Sequence, residues 1–234
     1  MSNICAGKHF ALADWQVLGA TTPLPTPSTT PTPTPEPDCE SWCANEFRDE
    51  TNEQKKDTMC TKDGQKNKII YGATDWVYEE EFSLVKGYEW SHDSKYIAYY
   101  RFDESNVKEF SMDIFNQNLY PTQEKFKYPK AGEENSLVSL FILDVNNKKN
   151  IEIKEGNTKF EYTPRIYWTK DSNKLCVLKL NRHQNHLKLY FTDPVNGTQN
   201  LIYEELDNFY IDIHDNMTFL EDGFIWTSEK NGFN

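Results

Sequence analysis

Long hydrophobic runs are absent from this chain of 234 residues, whose mean hydropathy is −0.78. No stretch approaches the roughly 20 consecutive apolar residues that a membrane-spanning helix needs. Residues 1–20 also lack an apolar segment behind a basic one, which is the pattern of a signal peptide. These two absences predict a chain without a membrane-spanning helix and without a recognisable leader at its start.

Basic residues are scarce relative to acidic ones, at 25 against 37, which gives a formal net charge of −12. The basic residues form no stripe that could neutralise a phosphate backbone, so nucleic acid and anionic membranes are excluded as partners. A negatively charged surface favours instead a ligand that carries positive charge.

Paired metal-ligand motifs are missing as well. Cys5, Cys39, Cys43 and Cys60 crowd into the first 60 residues, but no second Cys pair or His pair accompanies them at zinc-site spacing. The sequence therefore predicts no metal site and no cofactor. Two interpretations of these cysteines stay open: a small disulfide-bonded module of a secreted protein, or a short irregular stub with too few apolar residues to fold. The spacing leaves the disulfide connectivity undecided.

Three segments precede the regularly patterned part of the chain. They are a stub over residues 1–20, a Thr/Pro linker over residues 21–37 and a cysteine-containing segment over residues 38–60. The linker reads TTPLPTPSTTPTPTPEP, and its repeated prolines favour an extended polyproline II spacer. We expect residues 1–60 to be largely irregular and the folded domain to span residues 61–234. An error in joining the two parts of the gene is a second explanation of the abrupt change near residue 60.

Aromatic residues, by contrast, are abundant at 14%, and from residue 61 they occur in short alternating strands. Three stretches share one pattern: YEWSHDSKYIAYYRF from Tyr88, IYWTKDSNKLCVLKL from Ile166 and MTFLEDGFIWTSEK from Met217. Each contains an apolar strand, a turn with Asp followed by Ser or Gly, and a second alternating strand. Asp and Gly supply the side-chain hydrogen bond and the positive φ that tight turns need, so each stretch predicts a β-hairpin.

The first two of these units continue into a second hairpin, in which Asp144 or Asp193 ends the third strand. Two hairpins make one four-stranded blade. The second unit spans 25 residues from Trp168 to Asp193, whereas the first spans 54 from Trp90 to Asp144, so the first is 29 residues longer. We therefore expect an all-β fold, a partial β-propeller of about three four-stranded antiparallel blades, with an insertion over roughly residues 104–135.

Several separated stretches of this sequence resemble bacterial dipeptidyl peptidase IV. They are NKIIYGATDWVYEEEF from Asn67, YPKAG from Tyr128, LNRHQNH from Leu180 and YIDIHDNMTFLEDGFIWTSEKNGFN from Tyr210, in the order that the family has them. The resemblance covers residues 61–234 and implies an N-terminal β-propeller that caps a C-terminal α/β-hydrolase domain. It also implies an enzyme that removes X-Pro or X-Ala dipeptides from peptide N-termini, as a homodimer and in a secreted or periplasmic location.

The resemblance carries the family's paired glutamates to Glu80 and Glu81, within WVYEEEF. An exopeptidase must recognise a free α-ammonium group, whose pKa of about 7.7 to 8.0 keeps it charged at neutral pH. Two adjacent carboxylates only accept hydrogen bonds, so together they match two of its three N–H donors. We expect the pair on a short helix with Thr74 or Asp75 as its N-cap. From the residues alone, a run of glutamates is more typical of a solvated face.

No serine-peptidase triad is predicted in this chain, because no GxSxG motif occurs among its 234 residues. Ser91, His92 and Asp93 have the residue types of a triad, but consecutive residues of a strand and turn point to opposite faces and cannot relay one proton. We therefore expect no catalytic residue here, a catalytic α/β-hydrolase domain outside this sequence, and no activity from the chain alone.

Five further residues receive structural interpretations. Arg182, His183 and His186 lie at a hairpin without a third metal ligand, which predicts solvent contact or hydrogen bonds between blades. Cys176 lies in an alternating strand, which predicts a buried, inert thiol. Tyr210 lies near where the family forms part of its substrate pocket, but we expect a strand aromatic that packs between blades.

Two hypotheses for function follow. The first is the substrate-recognition propeller of a serine-type dipeptidyl aminopeptidase, with Glu80 and Glu81 bound to the substrate ammonium. The alternative is a non-enzymatic, secreted propeller-like module that binds protein or carbohydrate behind a Thr/Pro linker. The codons that follow Asn234 separate the two, because only the enzyme continues into a GxSxG-containing domain.

Overall fold

The computed structural model describes residues 61, 63–154, 160–230 and 232. The expected stub, linker and cysteine segment of residues 1–60 lie outside the described residues. In chain order the elements are β1 (Ile69–Ala73), α1 (Trp76–Phe82), β2 (Lys86–Trp90), β3 (Tyr96–Asp103), β4 (Glu109–Ile114), β5 (Thr122–Lys127), β6 (Leu137–Asp144), β7 (Lys149–Glu152), β8 (Ile166–Trp168), β9 (Leu175–Leu180), β10 (His186–Thr192), β11 (Gln199–Leu206), β12 (Thr218–Phe219) and β13 (Phe224–Ile225).

The strands form blades in sequence order. The first sheet has the order β1-β2-β3-β6-β7 and the second has the order β11-β10-β9-β8, with every pairing antiparallel. Strands β12 and β13 make a further hairpin, which begins a third unit. The expectation of an all-β partial propeller is confirmed. We call β2, β3, β6 and β7 the first blade and β8 to β11 the second blade.

The repeated turns of the blades form as the sequence predicts, with one difference. In the first turn, Ser91 Oγ donates to Asp93 Oδ1 at 2.8 Å, and Ser94 takes the positive φ of 59°. Ser172 takes the same φ of 59° in the second turn. Gly223 was expected to supply a positive φ in the third turn, and this is wrong, since Gly223 is not among the residues described with positive φ. The left-handed conformation therefore falls on serine in two of these turns.

Alternation along the central strands places a core between the blades. On β3, Ala98, Tyr100 and Phe102 are fully buried and share one apolar cluster with the second blade. Trp168, at the end of β8, crosses the boundary: its indole Nε1 donates to the Glu89 carbonyl at 2.9 Å. Side chains of successive blades thus interlock, as in a radially stacked propeller.

The insertion in the first blade contains a hairpin of its own. Strands β4 and β5 pair only with each other, and their connection presents Leu119 and Tyr120 at 85% and 80% exposure. At its C-terminal end the insertion returns to the body beside helix α1, where Tyr128 packs edge-on against Trp76 with ring centroids 4.2 Å apart. Within the described part of the chain, no helix combines the length and apolar character that a membrane crossing requires.

Candidate functional site

Helix α1 is short and its two ends are fixed by specific hydrogen bonds. Asp75 is the N-cap, since its carboxylate accepts from the Tyr78 backbone N–H at 2.9 Å. Thr74, the other predicted cap, instead donates its hydroxyl to the Leu84 carbonyl at 2.6 Å. Ser83 ends the helix in the left-handed conformation, with φ at 51°. Seven residues could not hold a helix in isolation, so these caps and the tertiary contacts define it.

Tyr78 and Phe82 anchor the helix to the rest of the domain. They lie four residues apart on one face and are 2% and 4% exposed. The Tyr78 hydroxyl accepts a hydrogen bond from the buried Thr163 N–H at 2.8 Å, and its ring meets Phe102 edge-on at 4.9 Å. Thr163 precedes the second blade, so α1 is held by both blades.

Glu80 and Glu81 lie between the buried Tyr78 and Phe82 in the sequence of α1, and both are exposed to solvent. Glu81 accepts a hydrogen bond from the side-chain amide of Gln184, with Nε2 and Oε1 2.6 Å apart. Gln184 belongs to the turn between β9 and β10, so the contact joins residues 103 positions apart in the sequence. Two adjacent carboxylates with free acceptor capacity can bind a cation with several N–H donors.

Two tyrosines lie within the electrostatic reach of Glu81. Burial raises the pKa of Tyr210, and the negative charges of Asp212 and Glu81 add to the rise. The pKa of Tyr162 is also raised, mainly by burial, with a smaller contribution from Glu81. The expectation that Tyr210 is a strand aromatic is wrong: it lies between β11 and β12 and is 54% exposed. Its side chain is therefore partly open to solvent, and the charge of Glu81 acts on its hydroxyl.

A second acidic pair lies beneath the start of the helix. Ser136 Oγ donates to the free oxygen of the Asp75 cap, Oδ2, at 2.6 Å. Glu104, from the start of the insertion, is only 5% exposed. Burial raises the pKa of Glu104 to about 7, and the negative charge of Asp75 adds to the rise while Lys127 opposes it. Burial also raises the pKa of Asp75, against the hydrogen bonds it accepts.

This raised pKa predicts that Glu104→Gln gains stability relative to the parent as pH rises. The folded state holds a proton on Glu104 up to about pH 7, whereas the unfolded chain releases it near 4.5. Stability of the parent therefore falls through that window, and the variant lacks the loss. Thermal melts from pH 5 to 8 should show a difference in Tm between the variant and the parent that grows as the pH rises. A constant difference across the range would contradict the assignment.

The other predicted residues have structural roles. Ser91 and Asp93 hydrogen bond within their turn and His92 is exposed, so these three residues form no proton relay. Arg182 donates to Glu161 Oε1 at 3.1 Å and to the Glu133 carbonyl at 2.8 Å, which ties the second blade to the insertion of the first.

The two histidines of the same turn differ from each other. His186 pairs with Glu204 inside the second blade, at 2.6 Å, and His183 is exposed. No group of three or more His, Cys, Asp or Glu suited to a metal ion occurs in the described ranges. Cys176 is fully buried, as expected, and burial raises the pKa of its thiol to about 12, which disfavours the reactive thiolate.

Two residues of the site escaped prediction. Gln184 lies inside the LNRHQNH stretch that carries part of the resemblance. Its neighbours Arg182, His183 and His186 are the residue types that suggest a metal or anion site, whereas a glutamine suggests neither. Glu104 begins the insertion, where an acidic residue is typical of an exposed loop. The length of the insertion was the only signal in the sequence that pointed toward this part of the molecule.

Comparison with known proteins shows which family the chain resembles. Residues 47–234 match the family described as the dipeptidyl peptidase IV (DPP IV) N-terminal region. A probable dipeptidyl-aminopeptidase B of Phaeosphaeria nodorum is 31% identical over 187 residues, which cover 72% of this chain and 20% of the relative. The protein of the same name from Fusarium vanettenii is 34% identical over 183 residues, which cover 70% and 20%.

A solved structure supports the same placement. The crystal structure of Porphyromonas gingivalis dipeptidyl peptidase 4 superposes with a TM-score of 0.69 at 39% identity, over 74% of this chain and 25% of that one. The chain spans about a fifth of the length of the curated relatives it matches. The blades described above are therefore part of a propeller, and the chain belongs to the family of dipeptidyl peptidase IV N-terminal regions.

Proposed function

We propose that this chain is the substrate-recognition part of a serine-type dipeptidyl aminopeptidase that releases X-Pro or X-Ala dipeptides from peptide N-termini. The observation that carries the proposal is the position of Glu80 and Glu81. They lie side by side on a helix that is capped at both ends and anchored by the buried Tyr78, with their carboxylates exposed. The names of the relatives agree with this activity.

The carboxylate pair would recognise the charged amino end of the peptide. An α-ammonium group is protonated at neutral pH and has three N–H donors, of which the two carboxylates take at least two. Repulsion between the carboxylates is relieved when the cation binds, so a peptide without a free amine gains nothing at this site. If the pair lies at a fixed distance from the catalytic serine of the complete enzyme, it would also limit the product to two residues.

The chemical step would lie outside this stretch of sequence. Serine-peptidase chemistry needs a nucleophile on a GxSxG turn with a histidine and an acid, and the 234 residues contain no GxSxG. We propose that an α/β-hydrolase domain of the same polypeptide supplies these residues and closes over the exposed glutamates. A homodimer and a secreted or periplasmic location belong to the same proposal.

The test uses the complete polypeptide that contains this chain, with a chromogenic X-Pro substrate in two forms. With a free amino terminus, we expect release of the chromophore with the intact dipeptide. With the amine acetylated, we expect kcat/KM to fall by at least two orders of magnitude, because the charge and the donors are removed. Equal rates for the two forms would overturn the proposed amine recognition, and absence of cleavage of any X-Pro substrate would overturn the enzyme assignment.

A further inference from the structure

The backbone of Gln184 has a conformation that its residue type disfavours. Its φ is +54°, in the left-handed region that glycine and asparagine enter readily and most other side chains avoid. It lies in the turn between β9 and β10, where a glycine would form the same bend without steric cost. A residue in this conformation persists only where the surrounding structure holds it in place.

The turn around Gln184 is built to hold this conformation. The Asn181 carbonyl accepts from the Gln184 N–H at 2.9 Å, and the Asn181 side chain accepts from the N–H groups of Asn185 and His186 at 3.0 Å each. The Gln184 carbonyl accepts from the Ile211 N–H at 2.8 Å. The backbone of Gln184 is therefore fixed on both sides, and only its side chain is left to act outside the turn.

The side chain of Gln184 is oriented toward Glu81, which leaves its own amide oxygen unpaired among the described groups. A carboxylate only accepts, so the amide must present its NH₂ group to Glu81, at 2.6 Å. The amide oxygen Oε1 is then left buried without a hydrogen-bond partner among the described groups. A buried, unpaired acceptor is unfavourable. Gln184 therefore combines a left-handed backbone with an unpaired amide oxygen. The favourable contact that its side chain makes is the hydrogen bond to Glu81.

We propose that Gln184 is a positioning residue for the amine site. Its amide holds one oxygen of Glu81, which fixes the rotamer of that carboxylate and leaves the other oxygen directed to the substrate ammonium. Because Gln184 belongs to the second blade, the ammonium site would be assembled from two repeats of the propeller. This inference rests on the proposed function of Glu80 and Glu81.

The first test is Gln184→Gly in the complete polypeptide, assayed with the free-amine X-Pro substrate. Glycine relieves the left-handed strain and removes the contact with Glu81. We expect Tm to stay the same or rise, while KM rises about tenfold and kcat changes little, as for loss of a charge-assisted hydrogen bond that serves binding. Gln184→Asn, which tolerates the same φ but is one methylene too short, should give the same rise in KM.

A matched control comes from the insertion hairpin. Gln117 is also a glutamine in the left-handed region, with φ at 63°, and it is exposed between β4 and β5. Gln117→Gly removes the same kind of strain without touching the site, so KM should stay at the parent value. An equal rise in KM for both variants would mean that the kinetic effect follows backbone conformation and would overturn the proposal.

A double-mutant cycle with Glu81→Ala separates this inference from the function it rests on. If Gln184 acts through Glu81, Gln184→Gly should have no further effect on KM once Glu81 is replaced. Full additivity, or a raised KM for Glu81→Ala with a parent KM for Gln184→Gly, overturns the positioning role alone. A parent KM for Glu81→Ala overturns the proposed amine site itself.

Discussion

Glu80→Gln in the complete polypeptide is expected to lower kcat/KM for free-amine dipeptidyl substrates by about 10²- to 10⁴-fold. The substitution keeps the shape of the side chain but removes one of the two charges that face the ammonium. Loss of one member of a desolvated ion pair costs roughly 3–5 kcal/mol, and about 1.4 kcal/mol corresponds to a factor of ten in rate. Steady-state kinetics on a chromogenic X-Pro substrate measure the effect directly.

The neighbouring Glu79 provides the control for this prediction. It is exposed and lies in the first turn of the same helix, and the resemblance gives it no role in amine binding. Glu79→Gln removes the same charge from the same helix, so it should leave kcat/KM within about twofold of the parent, as expected for a surface change. If Glu79→Gln and Glu80→Gln have equal effects, general electrostatic attraction and not a specific ammonium site would explain both.

Tyr78→Ala is expected to destabilise the domain by about 3–5 kcal/mol, the usual result of truncating a fully buried aromatic side chain. The ring contacts Phe82, Tyr100, Phe102 and Tyr162 edge-on, so its loss leaves a cavity beneath helix α1. Tyr78→Phe keeps the ring and removes only the hydroxyl. It should cost about 1–3 kcal/mol, because the buried Thr163 N–H loses its acceptor.

Urea denaturation followed by tryptophan fluorescence would compare the midpoints of these variants with the parent. Tyr120→Ala serves as the control, since Tyr120 is 80% exposed in the insertion hairpin and its loss should change stability by less than about 0.5 kcal/mol. A Tyr78→Phe variant as stable as the parent would show that water or another group satisfies Thr163, and that the hydroxyl contributes nothing to the anchor.

The blades were predictable because their signals are local. A strand, a turn with Asp and a second strand lie within about 15 residues, so periodicity and turn chemistry reveal each hairpin. The N-cap of α1 was predicted to be Thr74 or Asp75 for the same reason. The hydrogen bond from the Tyr78 N–H shows that it is Asp75. The error at Gly223 has the opposite origin: the sequence shows that glycine permits a positive φ, but not that the turn requires one.

The contacts that hold helix α1 and Glu81 could not be predicted, because they join distant parts of the chain. The bond from Gln184 to Glu81 spans 103 residues, and that from Thr163 to Tyr78 spans 85. The local sequence around each of these residues does not indicate which distant residue it contacts. Glu104 is similar, since its burial next to Asp75 depends on residues that are distant in the sequence.

Helix α1 precedes the first blade in the chain and packs against it, but it is also hydrogen-bonded to Thr163 at its buried side and to Gln184 of the second blade at its exposed end. A small change in the angle between these two repeats would therefore pull Glu81 away from its support before it disturbed the strands of either sheet. The proposed recognition of peptides at this helix would therefore depend on the angle between the two blades, and a change in that angle would weaken binding.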